Sequence, residues 1–382
     1  MVTLGIDRLF TEFLSVIRGR RIGLVTHYAM TDSTLTPVID RFLAEVPEQL
    51  VALFGPEHGV QNGAREGEPV PYQIDPHSRR PAYSLYGAHQ MPTPEMLTGI
   101  DLLIIDLPDI GSRYYTNIST VYYCLKASAL YGVPLVLLDR PNPINGVQRE
   151  GYPLDLGYQS FVGIAALPIR HGLTLGEIAR WMTRLYWPKA SLEVIPLAGW
   201  RREMFWQDTD IPFVSPSPNT TGPTMTLLYP GTCLFEGTNV SVGRGTVHPF
   251  EWLGAPWIDG HEWANGINQR EVAGLRARPV YFVPARPPYS GELCQGVQLH
   301  VTDPTVFHSV RAGVAALEIL YALYPERLAF PSASDGVPFF DRLAGGFALR
   351  EAILNGGVEH YWGGEAEAVA AFAASVKPDL LY

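Results

Sequence analysis

Four short apolar runs, each followed within three positions by an ionisable residue, constrain this 382-residue chain more than any other feature. They are Ile22-Gly23-Leu24-Val25-Thr26, Leu50-Val51-Ala52-Leu53-Phe54, Asp101-Leu102-Leu103-Ile104-Ile105 and Val133-Pro134-Leu135-Val136-Leu137-Leu138. None alternates with period two, so none reads as a half-exposed strand. Continuous apolar runs of this length suit strands covered on both faces, as in parallel sheets. The segments between them carry helical periodicity. Leu35, Val38, Ile39, Phe42, Leu43 and Val46 share one helix face, which Pro47 ends. Ile118, Val121, Tyr122, Leu125 and Leu130 repeat the pattern over residues 117–131, and Gly132 stops it. Alternating strands and helices predict an α/β fold with a Rossmann-like, doubly wound parallel sheet.

In such a sheet, ligands bind in the crevice outside the carboxyl ends of the strands. The residues following the four runs are His27; Glu57 and His58; Asp106 and Asp109; and Asp139 and Arg140. They predict an ionisable cleft, with Glu57 and His58 on one Gly-flanked turn as its proton-transfer pair.

The second half reads as α+β. Val297-Gln298-Leu299-His300-Val301 alternates like a strand, Phe307 to Tyr321 carries one apolar helix face, and an Ala-rich helix near 365–376 ends before Pro378. The Pro-rich stretch 211–224 predicts two domains, a Rossmann-like 1–228 and a smaller α+β 229–382 that completes the cleft.

Composition excludes several classes. A formal net charge of −10 with no basic run argues against nucleic acid. No uncharged apolar stretch is long enough to span a membrane. The first residues lack a charged-then-apolar leader, which points to the cytoplasm; a leader removed ahead of Met1 would instead make the chain secreted. Cys124, Cys233 and Cys294 read as buried hydrophobes. No Gly-x-Gly-x-x-Gly follows the first strand, and Gly243-Arg244-Gly245 has His248 where a third glycine belongs, so no dinucleotide cofactor is expected. Phosphate loop, nucleophile elbow and His-Glu-x-x-His are missing, and His27, His58, His171 and His248 lack metal-ligand spacing, so no metal is expected. Carboxylate acid/base chemistry in an aromatic-rich cleft remains, which suits glycoside hydrolysis, with Tyr114, Tyr115, Trp206, Trp252 and Trp257 as sugar platforms. Two other classes compete: a non-catalytic sugar-binding protein, and a nucleotide-sugar transferase, which the missing phosphate-binding glycines disfavour. Oligomeric state is not legible.

A series of motifs occurs in order: Phe54-Gly55-Pro56-Glu57-His58-Gly59, Tyr83-Ser84-Leu85-Tyr86-Gly87, Asp109-Ile110-Gly111-Ser112-Arg113-Tyr114-Tyr115-Thr116, Leu138-Asp139-Arg140-Pro141-Asn142-Pro143, Arg170-His171-Gly172-Leu173-Thr174, Pro216-Ser217-Pro218-Asn219, Tyr229-Pro230-Gly231-Thr232-Cys233-Leu234-Phe235-Glu236-Gly237-Thr238-Asn239 and Ser241-Val242-Gly243-Arg244-Gly245-Thr246. From about residue 20 to Tyr382 the chain resembles the exo-β-N-acetylmuramidase family (NamZ-like, formerly a domain of unknown function). The resemblance implies a cleft between a Rossmann-like and a smaller domain, and release of N-acetylmuramic acid from non-reducing ends of peptidoglycan fragments. Carried over by motif, the family's catalytic glutamate falls on Glu57. Pro108-Asp109-Ile110-Gly111 stands where relatives tend to read Gln-Asp-Val-Gly, and Asn117 stands where many have an aromatic, so the substrate subsites are the part that departs.

The expected roles follow. Glu57 is general acid/base, and His58 tunes it or bonds the sugar. Asp109 orients the 2-acetamido group or assists a nucleophile. Arg113 and Arg244 are candidates for the lactyl carboxylate, which a guanidinium grips bidentately. His27, Tyr114, His171, Asn219, Glu236 and Asn239 are expected to bind substrate, with Glu236 as an alternative second carboxylate. Arg140 is expected to pair with Asp139. Glu177 is explained by the capping box Thr174-Leu175-Gly176-Glu177.

Overall fold

The computed structural model describes residues 1–382. Seven strands form the larger sheet: β1 (Ile22–Val25), β2 (Leu50–Gly55), β3 (Gln73–Ile74), β4 (Pro81–Ser84), β5 (Leu102–Ile105), β6 (Leu135–Leu138) and β7 (Leu192–Ile195), in the order β3-β4-β2-β1-β5-β6-β7. All neighbours are parallel except β3 and β4. The order reverses at β1: the chain moves outward through β2 and β4, then crosses to β5 on the other side. That is the switch point of a doubly wound sheet. Helices α1 (Gly5–Thr11) and α2 (Val38–Glu45) cover one face, while α3 (Asn117–Tyr131) and α4 (Leu175–Leu185) cover the other. Each of the four apolar runs contains one fully buried strand or nearly so.

Two local expectations need correction. Leu35 is half exposed and has φ 68°, so it lies in a turn, and α2 starts only at Val38. The Arg140 guanidinium pairs with Asp106, and only its backbone N–H donates to Asp139, at 3.0 Å. Asp139 also accepts from Thr174 Oγ1 at 2.7 Å, Gly176 N–H at 2.8 Å and Tyr382 OH at 2.8 Å. Burial pushes its carboxyl up to about 7. Glu177 closes the capping box on Thr174.

The second half builds a three-stranded antiparallel sheet, β8 (Trp252–Ala255), β10 (Cys294–Val301) and β9 (Leu275–Phe282), in that order. Around it lie α5 (Pro223–Thr232), α6 (Gly260–Gln269), α7 (Ser309–Leu323), α8 (Phe339–Ala344), α9 (Ala348–Asn355), α10 (Val358–Tyr361) and α11 (Glu365–Val376). Residue 228 lies inside α5, because the Pro-rich stretch ends at Gly222 and Pro223 starts the helix. Gly231 of α5 sits so close to α7 that an added Cβ would lie 2.0 Å from the Ser309 carbonyl oxygen. The core of this half extends into the first through Ile110, Tyr114, Ile144 and Ile169. Both walls of the intervening cleft therefore share one packed interior. No helix is long and apolar enough to cross a membrane.

Candidate active site

The cleft lies at the carboxyl ends of β1 and β2. Its first wall carries His27, Glu57, His58, Glu66 and the Tyr114–Asn117 segment; its second carries Ser217, Asn219, Thr220, Tyr229, Arg244 and Phe250.

Glu57 is there because β2 ends in a turn that only glycine permits. A Cβ on Gly55 would lie 2.5 Å from the Val60 nitrogen. His58 and Gly59 follow with φ 72° and 74°, and the turn folds back beneath the strand end. The half-buried Glu57 carboxylate accepts from Thr116 Oγ1 at 2.8 Å and from Gly67 N–H at 3.2 Å. Thr116 immediately precedes α3, so the carboxylate lies beside that helix's positive end. The Tyr86 hydroxyl is pushed up to about 12 by burial and by the neighbouring Glu57 charge. His58 Nδ1 lies 2.8 Å from the Ala64 carbonyl, which can only accept, so Nδ1 carries the proton. His27 is 1% exposed. Burial, then the charges of Arg140 and His58, lower it to about 3, so it faces the cleft as a neutral ring.

Arg244 is the single lysine or arginine on the cleft wall. Its Nε donates to Glu236 at 2.6 Å, Nη1 lies 3.5 Å from Glu66, and the guanidinium sits 5.0 Å above the Phe250 ring. Burial disfavours the cation, but Glu236 outweighs burial and raises it above the usual arginine value. Glu236 stands behind Arg244 and off the cleft wall, accepting also from Cys233 Sγ at 3.4 Å. Asn219 Nδ2 donates to Glu66 at 3.4 Å.

Several expected residues are elsewhere. Arg113 is 2% exposed, and its guanidinium donates to the carbonyls of Tyr152 at 2.9 Å, Leu167 at 2.7 Å and Leu343 at 2.7 Å. It ties the two halves together and cannot reach a ligand in the cleft; burial lowers it to about 10. Asp109 accepts from Gly111 N–H at 2.7 Å and faces His171 Nε2 at 3.2 Å, while His171 Nδ1 accepts from Leu173 N–H. Both are buried off the wall of this cleft, because the Asp109 loop turns inward at Gly111, φ 83°. Asp106, Asp139 and Arg140 are likewise off this wall. Asn239 clamps the 327–329 segment through Arg327 O and Ala329 N–H. Tyr114 stays in the wall, with its hydroxyl on Pro230 O at 2.5 Å. Trp252 and Trp257 pack within the second half, and Trp206 lines a neighbouring pocket with Asp109 and Arg140. The aromatic faces at the cleft are Tyr114, Tyr115, Tyr229 and Phe250.

Sequence reasoning missed Glu66, Thr116 and Tyr86 as partners in the site. Only the alternation of glycine and charge in Gly63-Ala64-Arg65-Glu66-Gly67 marked the first. No three His, Cys, Asp or Glu side chains converge as a metal site.

Comparison with known proteins agrees along the full chain. Family models for the N-terminal and C-terminal parts of the exo-β-N-acetylmuramidase NamZ match residues 22–224 and 227–382. The chain is 41% identical to the peptidoglycan β-N-acetylmuramidase NamZ of Bacillus subtilis strain 168, covering 100% of this chain and 91% of the relative. Crystal structures of two DUF1343 family proteins from Bacteroides fragilis superpose with TM-scores of 0.90 and 0.77, at 32% and 28% identity, over 100% of this chain and 99% of each of theirs. The chain therefore belongs to the NamZ exo-β-N-acetylmuramidase family of glycosidases.

Proposed function

We propose that this enzyme releases N-acetylmuramic acid from the non-reducing ends of peptidoglycan fragments, with Glu57 as general acid/base and Arg244 as the receptor for the lactyl carboxylate. The observation that carries this reading is the pairing, in one cleft, of a lightly held carboxylate with a single guanidinium. Family membership supports the substrate class.

In its acid form Glu57 donates its proton to the glycosidic oxygen as the anomeric C–O bond breaks. The electron pair on the other side of that carbon has two possible sources. The other carboxylate on the wall, Glu66, is engaged with Arg244 and Asn219, and Glu236 stands behind Arg244. Glu236 is fixed behind that guanidinium and Glu66 lies on its side of the cleft, so the attack is assigned to neither. The substrate's own 2-acetamido oxygen then attacks the anomeric carbon, one of the known exceptions to the two-carboxylate scheme. Glu57, now a carboxylate, takes a proton from the water that opens the cyclic intermediate. The product keeps the β configuration.

The test is incubation with a disaccharide bearing N-acetylmuramic acid at its non-reducing end, with free sugar read by mass spectrometry and the first-formed anomer by NMR. Release as the β-anomer is expected. No release would return the chain to a sugar-binding role, and an initial α-anomer would contradict the neighbouring-group step.

A further inference from the structure

Arg244 is held very unequally on its two sides. On one, Glu236 accepts from Nε at 2.6 Å, a charge-assisted hydrogen bond that fixes the guanidinium plane. On the other, Glu66 lies 3.5 Å from Nη1, beyond normal hydrogen-bond range. The second contact to Glu66, from Asn219, is equally long at 3.4 Å. The Glu66 side chain is 32% exposed and that of Arg244 17%. A loose, partly solvated ion pair of this kind holds weakly.

The loop carrying Glu66 has open space around it. Asn62 and Gly67 have φ 57° and 73°, and Gly63 and Gly67 have nothing within 4 Å of where a Cβ would stand. Displacing it opens no hole in the core. The same loop also reaches the reacting side of the cleft, because Gly67 N–H and Ala64 O contact Glu57 and His58.

We infer that Glu66 is a placeholder carboxylate: it occupies the open side of Arg244 before substrate binds and yields that position to the carboxylate of the substrate. The inference rests on the reading of Arg244 as the lactyl receptor. It makes Glu66 a residue that tempers affinity for the anionic ligand. A ligand without a negative charge gains nothing by displacing Glu66, whereas a carboxylate exchanges one ion pair for a better-seated one. Three carboxylates around one guanidinium are not jointly stable, so Glu66 and the substrate anion exclude each other.

Two muramic acid disaccharides test this, one with the free lactyl carboxylate and one with that group as the carboxamide, each assayed with wild type and Glu66→Gln. Wild type should show a lower KM for the carboxylate. Glu66→Gln should lower the carboxylate KM a further threefold to fivefold or so, the scale of a partly exposed ion pair, and leave the carboxamide KM within about twofold. If wild type does not distinguish the two substrates, the lactyl reading of Arg244 fails and the placeholder with it. If wild type distinguishes them but Glu66→Gln leaves the carboxylate KM unchanged or raises it, Glu66 is a structural strut and only the placeholder is overturned. Competition by free N-acetylmuramic acid, strengthened in the variant by the same factor, is the expected equilibrium counterpart; unchanged competition would contradict the inference.

Discussion

The end of β2 and the end of β5 carry the same kind of sequence: a buried apolar strand, a turn, and then acidic and basic or imidazole side chains. At β2, Glu57 keeps two donors, one of them at 3.2 Å, and faces a cleft. At β5, Asp109 is capped by Gly111 and faces His171, and Arg113 saturates three carbonyls from distant parts of the chain. Charge at a strand end marks where a site can form. Whether that charge faces the open cleft or is enclosed among the chain's own groups decides if it is chemistry or mortar. Arg113 and Arg244 make the same point as a pair of cations, one surrounded by carbonyls and sealed, the other clamped on one side and open on the other.

Exchanging the roles of these two arginines would break the comparison most severely. Arg113→Met should destabilise the fold by about 3 kcal/mol, since buried carbonyls lose their donors and the two halves lose a tie. Urea titration checks it. A change below about 0.5 kcal/mol, or a KM effect on a fully stable variant, would put Arg113 back among the substrate contacts.

Arg244→Met should instead raise KM for the muramic acid substrate about tenfold to thirtyfold, the loss of a charge-assisted contact. A matched glucosaminide lacking the lactyl group should respond far less, and steady-state kinetics on both sugars decides. Equal losses would mean that Arg244 only shapes the wall.

A smaller effect sharpens the account of the β1 end. Folded His27 titrates at about 3 against an ordinary value of 6.5. Between those limits the unfolded chain binds a proton that the folded chain does not. The stability this group contributes is therefore complete above about 6.5 and is lost as pH falls towards 3, by at most about 1.4 kcal/mol per pH unit. Denaturation midpoints measured from pH 7 to 4 should fall less steeply for His27→Gln than for wild type. Parallel profiles would show that folded His27 takes up its proton over the same pH range as in the unfolded chain, contradicting the lowered value.

The sheet was legible because its signals are local. The span 117–131 is α3 as it stands, since Gly132 at φ 75° ends it. The start of α2 was not, because Leu35 shares the helical period but sits in a left-handed turn that period cannot register. That Glu57, His58 and Arg244 share one cleft was legible from strand ends and motifs. Arg113 was misread because its partners Leu167 and Leu343 lie 54 and 230 residues away, and no spacing reports on them. Glu66 was missed for the same reason: Asn219, which donates to it, is 153 residues distant and belongs to the opposite wall.

The central claim is that the carboxyl at the end of β2 delivers the proton to the leaving oxygen. It is tested most directly by assaying Glu57→Gln on two substrates of the same sugar, the natural disaccharide and an aryl muramide whose phenolate departs without protonation. The account predicts a folded variant that loses about 10²-fold or more in kcat on the disaccharide and much less on the aryl substrate. Activity within a few-fold of wild type on both, or an equal loss on both, would contradict it.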